Sequence, residues 1–243
     1  MIIEGKNAVN ECLNAGTTIE KLYVQKGNFA DQLNRIIALA RKQGIKVTFA
    51  DKETLDKLSP SAKHQGVIAV TTEYTYYELE DLVDGARERG EDMLFIILDG
   101  VEDPHNLGAV IRVADCAGAT GVIVPKHRGT GVTDTVVRVS AGACAHVKVA
   151  KVTNVNDAIR YLKDNGVFVF AADMDGESIY KTNLTGNVAL VIGGEGSGVH
   201  SLTRKLSDGI VSLPLYGKVN SLNASVATGI VVYEALRQRN NGK

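Results

Sequence analysis

From Met93 onward the chain repeats one device: a short, uninterrupted apolar run, a polar turn, then a helical pattern. The runs are "MLFIILDG", "GVIVP", "HVKVAKV", "VFVFAAD", "VALVIGG" and "GIVSLPL". Helical patterns fall between most of them, among them "NVNDAIRYLKDNG", and "SLNASVATGIVVYEALRQR" closes the series. A strand with one solvated face alternates apolar and polar residues, so unbroken apolar runs call for cover on both faces. Strands joined through helices run parallel, and the pattern therefore predicts an α/β fold with a mostly parallel sheet.

Upstream lies a smaller α/β block. It reads as a helix near Lys6 to Asn14, a strand "IEKLYVQ", a long helix from Ala30 to Gln43, a strand "KVTFA", a short helix, and a strand "GVIAVTT". The stretch "EYTYYELEDLVDGARERGED" is charged, aromatic and poor in core pattern, although the spacing of Leu79, Leu82 and Val83 suggests a short helix. It is read as a linker, which divides the chain into a domain over 1–73, a linker over 74–92 and a second domain over 93–243.

Composition narrows the function mostly by exclusion. The formal net charge is −1 over 243 residues, so no global basic field marks a nucleic-acid partner. A local patch would have to do that work. The best candidate is "PKHRG" (Lys126, His127, Arg128), with Lys6, Lys63, His64 and Arg138 behind it. The three cysteines, Cys12, Cys116 and Cys144, are odd in number and lack C-x-x-C spacing, which predicts reduced thiols in a cytoplasmic protein and no structural zinc. No apolar leader opens the chain and no segment is long enough to span a bilayer. Neither G-x-x-x-x-G-K-[ST] nor G-x-S-x-G occurs, and "GGEGSG" does not have G-x-G-x-x-G spacing.

Three polar loops at predicted strand ends remain. In "DPHNLGAVIR", Asn106 suits an N-cap, Ala109, Val110, Val113, Ala114 and Ala117 form a helical apolar face, and Gly118 or Gly121 supplies the stop. Arg112 falls at the edge of the polar face, where Asp115 at i+3 offers it a purely structural partner. In "GGEGSGV", four glycines permit close backbone approach and Glu195 adds a carboxylate; its structural reading is an acid at a helix N-terminus. In "LPLYGKVNSLNASVATG", a helix begins around Ser221, with Ser221, Asn223 and Ser225 crowding its first turn and Ser221 as a possible N-cap. At the carboxyl ends of parallel strands, such loops are where α/β sheets place ligands.

With these residues in view the chain resembles a known family. "NLGAVIR", "LVIGGEGSGV" and "LPLYGKVNSLNASVATGIVVYEALRQR" are similar, in order, to the three motifs of the SpoU (TrmH-type) RNA ribose 2'-O-methyltransferases. "EGKNAV" and "HQGVIAV" resemble the substrate-binding domain of the branch that modifies a guanosine of 23S ribosomal RNA. The resemblance implies a SPOUT-type parallel sheet with a C-terminal trefoil knot, S-adenosylmethionine as methyl donor, RNA as substrate, and a homodimer whose active site borrows residues from both subunits. The final helix, apolar around much of its circumference (Val226, Ile230, Val231, Val232, Ala235, Leu236), points to a dimer formed through the C-terminal domain. It makes Arg112 the catalytic residue, with Asn106, Glu195, Ser221 and Asn223 positioning substrate or Arg112, and it puts Gly193, Gly194, Leu213 and Leu222 beside the donor. The family proposal has Arg112 as general base; because a guanidinium stays protonated, electrostatic stabilisation of the ribose oxygen is the competing role. His105 could touch substrate, whereas His146, His200, Cys116 and Cys144 are read as structural. The alternatives are a tRNA ribose methyltransferase and a non-catalytic RNA-binding or ribosome-assembly factor on the same fold.

Overall fold

The computed structural model describes residues 1–15, 19–27, 31–61, 63–71, 74–196, 198–219 and 221–241. They form two compact units, Met1–Thr75 with Val132–His146, and Tyr76–Gly131 with Val147–Lys243. In the first unit the chain runs β1 (Ile2–Glu4), α1 (Lys6–Asn14), β2 (Ile19–Gln25), α2 (Asp31–Lys42), β3 (Lys46–Ala50), α3 (Lys52–Leu58) and β4 (Val67–Thr71). The sheet order is β1-β4-β2-β3, with β4 antiparallel to β1 and β2 and with β2 and β3 parallel. α2 shows why these residues choose a helix: Leu33, Ile36, Ile37 and Ala40 recur on one face and are buried there. Asp31 in its first turn and Arg41 and Lys42 in its last complement the helix dipole.

The second unit continues with α4 (Leu79–Glu88), β5 (Leu94–Asp99), α5 (Pro104–Cys116) and β6 (Gly121–Pro125). The chain then gives α6 (Asp134–Val139) and a short 3-10 turn (Ala143–Ala145) to the first unit. It returns as β7 (Val149–Val152), α7 (Val155–Asp164), β8 (Phe168–Ser178), β9 (Val188–Gly193), α8 (Ser201–Leu206), β10 (Gly209–Ser212) and α9 (Ala224–Asn241). All six strands are parallel, in the order β10-β8-β9-β5-β6-β7. Every residue of β5 is buried, which is why its sequence is apolar without alternation. The chain moves away from β5 in one direction through β6 and β7, then crosses to the other side as β8 and inserts β9 between β8 and β5. The loops after β5 and β9 therefore part at the carboxyl edge of the sheet, where such folds open a crevice.

Two expected boundaries come out differently. The stretch read as a linker, 74–92, carries α4, and Leu79, Leu82, Val83 and Ala86 are buried in one core with Phe95, Ile97 and Ile159. Leu82 lies so close to Gly121 that a Cβ there would sit 2.3 Å from its Cδ2, so Gly121 is a packing position and not the stop of α5. That stop is Gly118, with φ of 63°; the Ala119 N–H reaches back to the Ala114 carbonyl at 2.9 Å, as in a Schellman motif. Residues 132–146, expected within the second domain, are tied into the first unit instead. Asp134 accepts from the Ile2 N–H at 2.9 Å, Arg138 pairs with Glu4, and His146 with Glu11. The long helix expected from Ala30 begins, within the described residues, at Asp31.

Candidate active site

The first loop is organised by an acid that sequence reading passed over. Asp103 is the N-cap of α5: its carboxylate accepts from the His105 N–H at 2.8 Å, and Pro104 opens the helix, where its missing N–H costs nothing. Asn106 is thus not a cap. It sits inside the first turn with its side chain buried, at 4% exposure, and free to reach across to other loops. The buried residues of α5 are Asn106, Leu107, Gly108, Val110, Ile111 and Ala114, a face rotated from the one expected. Val113 faces α9, 3.9 Å from where a Cβ on Gly229 would lie.

The third loop is also capped one step from the expectation. α9 begins at Ala224, and the cap is Asn223, not Ser221. Asn223 Oδ1 accepts from the Ser225 N–H at 3.0 Å, the Ser225 hydroxyl at 2.6 Å and the Val226 N–H at 3.3 Å. Committing that oxygen to the helix turns the amide nitrogen the other way. Nδ2 then donates to Asn106 Oδ1 at 2.9 Å and to Glu195 Oε1 at 3.0 Å. The same Glu195 oxygen accepts from Asn106 Nδ2 at 3.0 Å. One carboxylate and two amides, each from a different loop, therefore close a ring of three hydrogen bonds in which every donor meets an acceptor.

Beside this ring lies a cavity of about 550 Å³. The middle of β8 (Ala172, Asp173, Met174), the end of β9, the glycine loop that follows it, and residues between Val211 and Ala227, among them Leu213, Ser221, Leu222 and Asn223, line it. Gly193, Gly194, Leu213 and Leu222, expected beside a donor, are all on its wall, as are Glu195, Ser221 and Asn223. The two glycines are needed for a reason other than ligand approach. A Cβ on Gly193 would fall 2.1 Å from the Gly198 carbonyl carbon, and one on Gly194 would fall 2.1 Å from the Gly100 oxygen. Glycine here lets the β9 loop fold on itself and press on the turn after β5. The same junction is clamped by buried Asp99, whose carboxylate accepts from the His200 N–H at 2.9 Å and faces its Nδ1 at 2.8 Å.

Arg112 is exposed on α5, and among the described residues it has no hydrogen bond or ion pair; Asp115 at i+3 does not hold it. Of the other candidates, Lys126, His127 and Arg128 are exposed together in the turn after β6, and His105 is exposed on the first turn of α5. Lys63 is exposed and Lys6 half-buried. His64 and Arg138 are not surface cations in waiting. His64 is 4% exposed; its Nδ1 accepts from the Gly66 N–H at 2.9 Å while Nε2 faces Asp56 at 3.0 Å. Arg138 holds buried Glu4, whose carboxyl is pushed up by burial but left below its ordinary value by Ser59, Ser61 and Arg138. Cys12 and Cys144 are buried, and burial pushes the Cys144 thiol up to about 11, while Cys116 is exposed. Among the described residues no group of three His, Cys, Asp or Glu could hold a metal, and no helix is long and apolar enough to cross a membrane. The residues that sequence reading missed are Asp103, Asp99 and the cavity-lining Asp173; each ends an apolar run or precedes a proline, and that position was the available signal.

Comparison with known proteins gives the family. Residues 93–233 match the model of the SpoU rRNA Methylase family, and residues 2–77 match that of the RNA 2'-O ribose methyltransferase substrate binding family. A putative TrmH family tRNA/rRNA methyltransferase of Bacillus subtilis, YacO, is 42% identical over 97% of this chain and 95% of its own length. A putative TrmH family tRNA/rRNA methyltransferase of Staphylococcus aureus is 40% identical over 99% of this chain and 97% of its own. The SpoU methyltransferase AviRb of Streptomyces viridochromogenes, solved with AdoMet, superposes with a TM-score of 0.85 at 25% identity, covering 100% of this chain and 91% of its own. An AdoMet-bound rRNA methyltransferase of Sinorhizobium meliloti superposes with a TM-score of 0.83 at 27% identity, covering 97% and 86%. With both family models matched in sequence and a six-stranded parallel sheet beneath its three polar loops, the chain belongs to the SpoU (TrmH) family and is an RNA methyltransferase.

Proposed function

We propose that this methyltransferase modifies the 2'-hydroxyl of a ribose in RNA, with a guanosine of 23S ribosomal RNA as its target. The observation that carries the reading is the ring formed by Asn106, Glu195 and Asn223, which gathers three loops around a cavity of about 550 Å³. S-adenosylmethionine is the methyl donor, and it supplies an electrophilic methyl group on a sulfonium. The cavity suits a ligand of that class: its volume is within the range of small-molecule sites, and Ile192, Val211, Leu213 and Leu222 give it apolar walls for a flat base.

The protein's own task is to present the ribose oxygen, remove competing water and stabilise charge as the hydroxyl loses its proton. Arg112 is exposed and without an ion-pair partner among the described residues, so its guanidinium is available to a phosphate and to that developing charge. It does this as a cation, since an arginine does not give up its proton near neutrality. Glu195 and the two asparagines set the loop geometry beside the cavity, and Ser221 offers one hydroxyl at the cavity wall. The first unit binds the RNA, in line with its match to a substrate-binding family, and Lys126, His127 and Arg128 add a local cationic patch.

The same reading includes a homodimer, a trefoil knot in the C-terminal chain and a cytoplasmic enzyme. Support for the dimer comes from α9. Val231, Val232 and Ala235 are buried in the unit's own core, whereas Val226, Ile230 and Tyr233 stand 51%, 37% and 48% exposed on another face. Ribose methylation mapped across total RNA from cells with and without the gene tests the whole. The account predicts loss of one 2'-O-methyl mark on a guanosine of 23S RNA. A mark lost from tRNA instead would move the target to the other substrate class, and an unchanged map would refute the activity.

A further inference from the structure

One polar group on the cavity wall lies outside the three motif loops. Asp173 follows Ala172, the last β8 residue to pair with β9, and its carboxylate is 15% exposed. Oδ2 accepts from Arg204 Nη1 at 2.9 Å, and Oδ1 accepts from the Met174 N–H at 2.7 Å. Arg204 projects from α8 and is steadied by Asp175, whose Oδ2 lies 3.4 Å from Nη2. The carboxylate also adjoins the glycine loop, with Oδ2 3.7 Å from where a Cβ on Gly198 would lie.

We propose that Asp173 recognises the ribose of the methyl donor, accepting hydrogen bonds from its two vicinal hydroxyls, and that Arg204 is the residue that holds it in place. The inference rests on the reading of the cavity as the donor site. Each carboxylate oxygen offers two acceptor positions and has one already filled, so one on each oxygen remains. Two adjacent acceptors match two adjacent hydroxyl donors. They are a poorer match for the sulfonium or the ammonium of the donor, because the Arg204 guanidinium already balances the Asp173 charge. A carboxylate that hydrogen-bonds ribose hydroxyls is also the device of dinucleotide-binding sheets. The neighbouring polar group on the wall, Glu195, has one oxygen engaged by both asparagines and serves the loops instead.

Calorimetric titration with S-adenosylhomocysteine and with its 2',3'-dideoxy analogue tests this without any turnover. S-adenosylhomocysteine lacks the sulfonium, so charge recognition does not contribute. For the wild type, the dideoxy analogue should bind about tenfold or more weaker, the size expected for lost hydrogen bonds to a charged group. Asp173→Ala should weaken S-adenosylhomocysteine by a similar factor and leave the dideoxy analogue nearly unchanged. Arg204→Met should reproduce the same selective loss at smaller size. Asp173→Asn, close in shape, repeats the comparison should the alanine variant fail to give a normal thermal melt. Equal weakening of both ligands by Asp173→Ala, or no weakening of either, would overturn the role of Asp173 while leaving the donor site standing. A wild type that binds neither ligand would remove the donor site itself and the inference with it.

Discussion

Asn223 joins two jobs in one side chain, and a pair of substitutions separates them. Asn223→Ala removes the oxygen that caps α9 and the nitrogen that completes the ring with Asn106 and Glu195. Loss of a cap costs about 1 kcal/mol. Loss of the donor strands Asn106 Oδ1 on a side chain only 4% exposed, which costs about another 1 kcal/mol once water at the exposed Asn223 position is allowed for. The sum, about 2 kcal/mol, should lower the melting temperature of the unit by roughly 4–8 °C. Asn223→Ser keeps a cap acceptor but replaces the amide nitrogen with a shorter hydroxyl that does not reach both Asn106 and Glu195, so it should recover about half of that. Differential scanning calorimetry on the three proteins measures both steps, and methyl transfer should fall in both variants because both open the ring. A serine variant as stable as wild type would show that the ring contributes nothing. An alanine variant within a few tenths of a kcal/mol of wild type would refute the capping role as well.

Glu4 should govern part of the acid limb of stability. Its folded pKa lies below the ordinary value, so its contribution is complete above that value and is lost as pH falls through the lower folded one. Urea midpoints from pH 7 down to pH 3 should fall less steeply for Glu4→Gln than for wild type, and parallel curves would exclude the effect. Val226→Asp with Ile230→Asp places charges on the exposed face of α9 and should convert a dimer to monomers in light scattering at micromolar concentration; a wild type that is already monomeric under those conditions would remove the dimer from the account. Lys126→Ala with Arg128→Ala should weaken RNA binding and lower the slope of log affinity against log salt by about one to two, and an unchanged slope would take that turn out of the RNA interface.

How much of this the sequence announced depends on the range of the interaction involved. The parallel sheet was legible because burial on both faces writes unbroken apolar runs such as β5 and β9. The three site loops were legible for the same reason, since each follows such a run. What joins them was not: Asn106, Glu195 and Asn223 meet across separations of 89, 117 and 28 residues, and no local pattern encodes that. Asn106 was misread as a cap because it is a good one, whereas the Asp103–Pro104 pair is a stronger start signal three residues earlier. The 74–92 stretch looked like a linker because its charged outer face dominates its composition, while four buried residues suffice to seat α4. The placement of 132–146 in the first unit rests on pairs such as Ile2 with Asp134 and Glu4 with Arg138, separated by 132 and 134 residues. Arg112 is exposed at the edge of a mostly apolar helix, as its spacing predicts, and Asp115 does not pair with it.

The central claim is that Arg112 serves the reaction and is not held by the fold. Single-turnover methyl transfer to ribosomal RNA by wild type, Arg112→Ala and Arg112→Lys tests it, with S-adenosylmethionine affinity and thermal melts measured on the same preparations. The account predicts that the alanine variant loses about a hundredfold or more in rate while melting and donor affinity stay near wild type. Lysine should restore little, because a point charge does not reproduce the planar fork that grips a phosphate and a hydroxyl together. An alanine variant that transfers methyl groups at close to the wild-type rate would contradict the account.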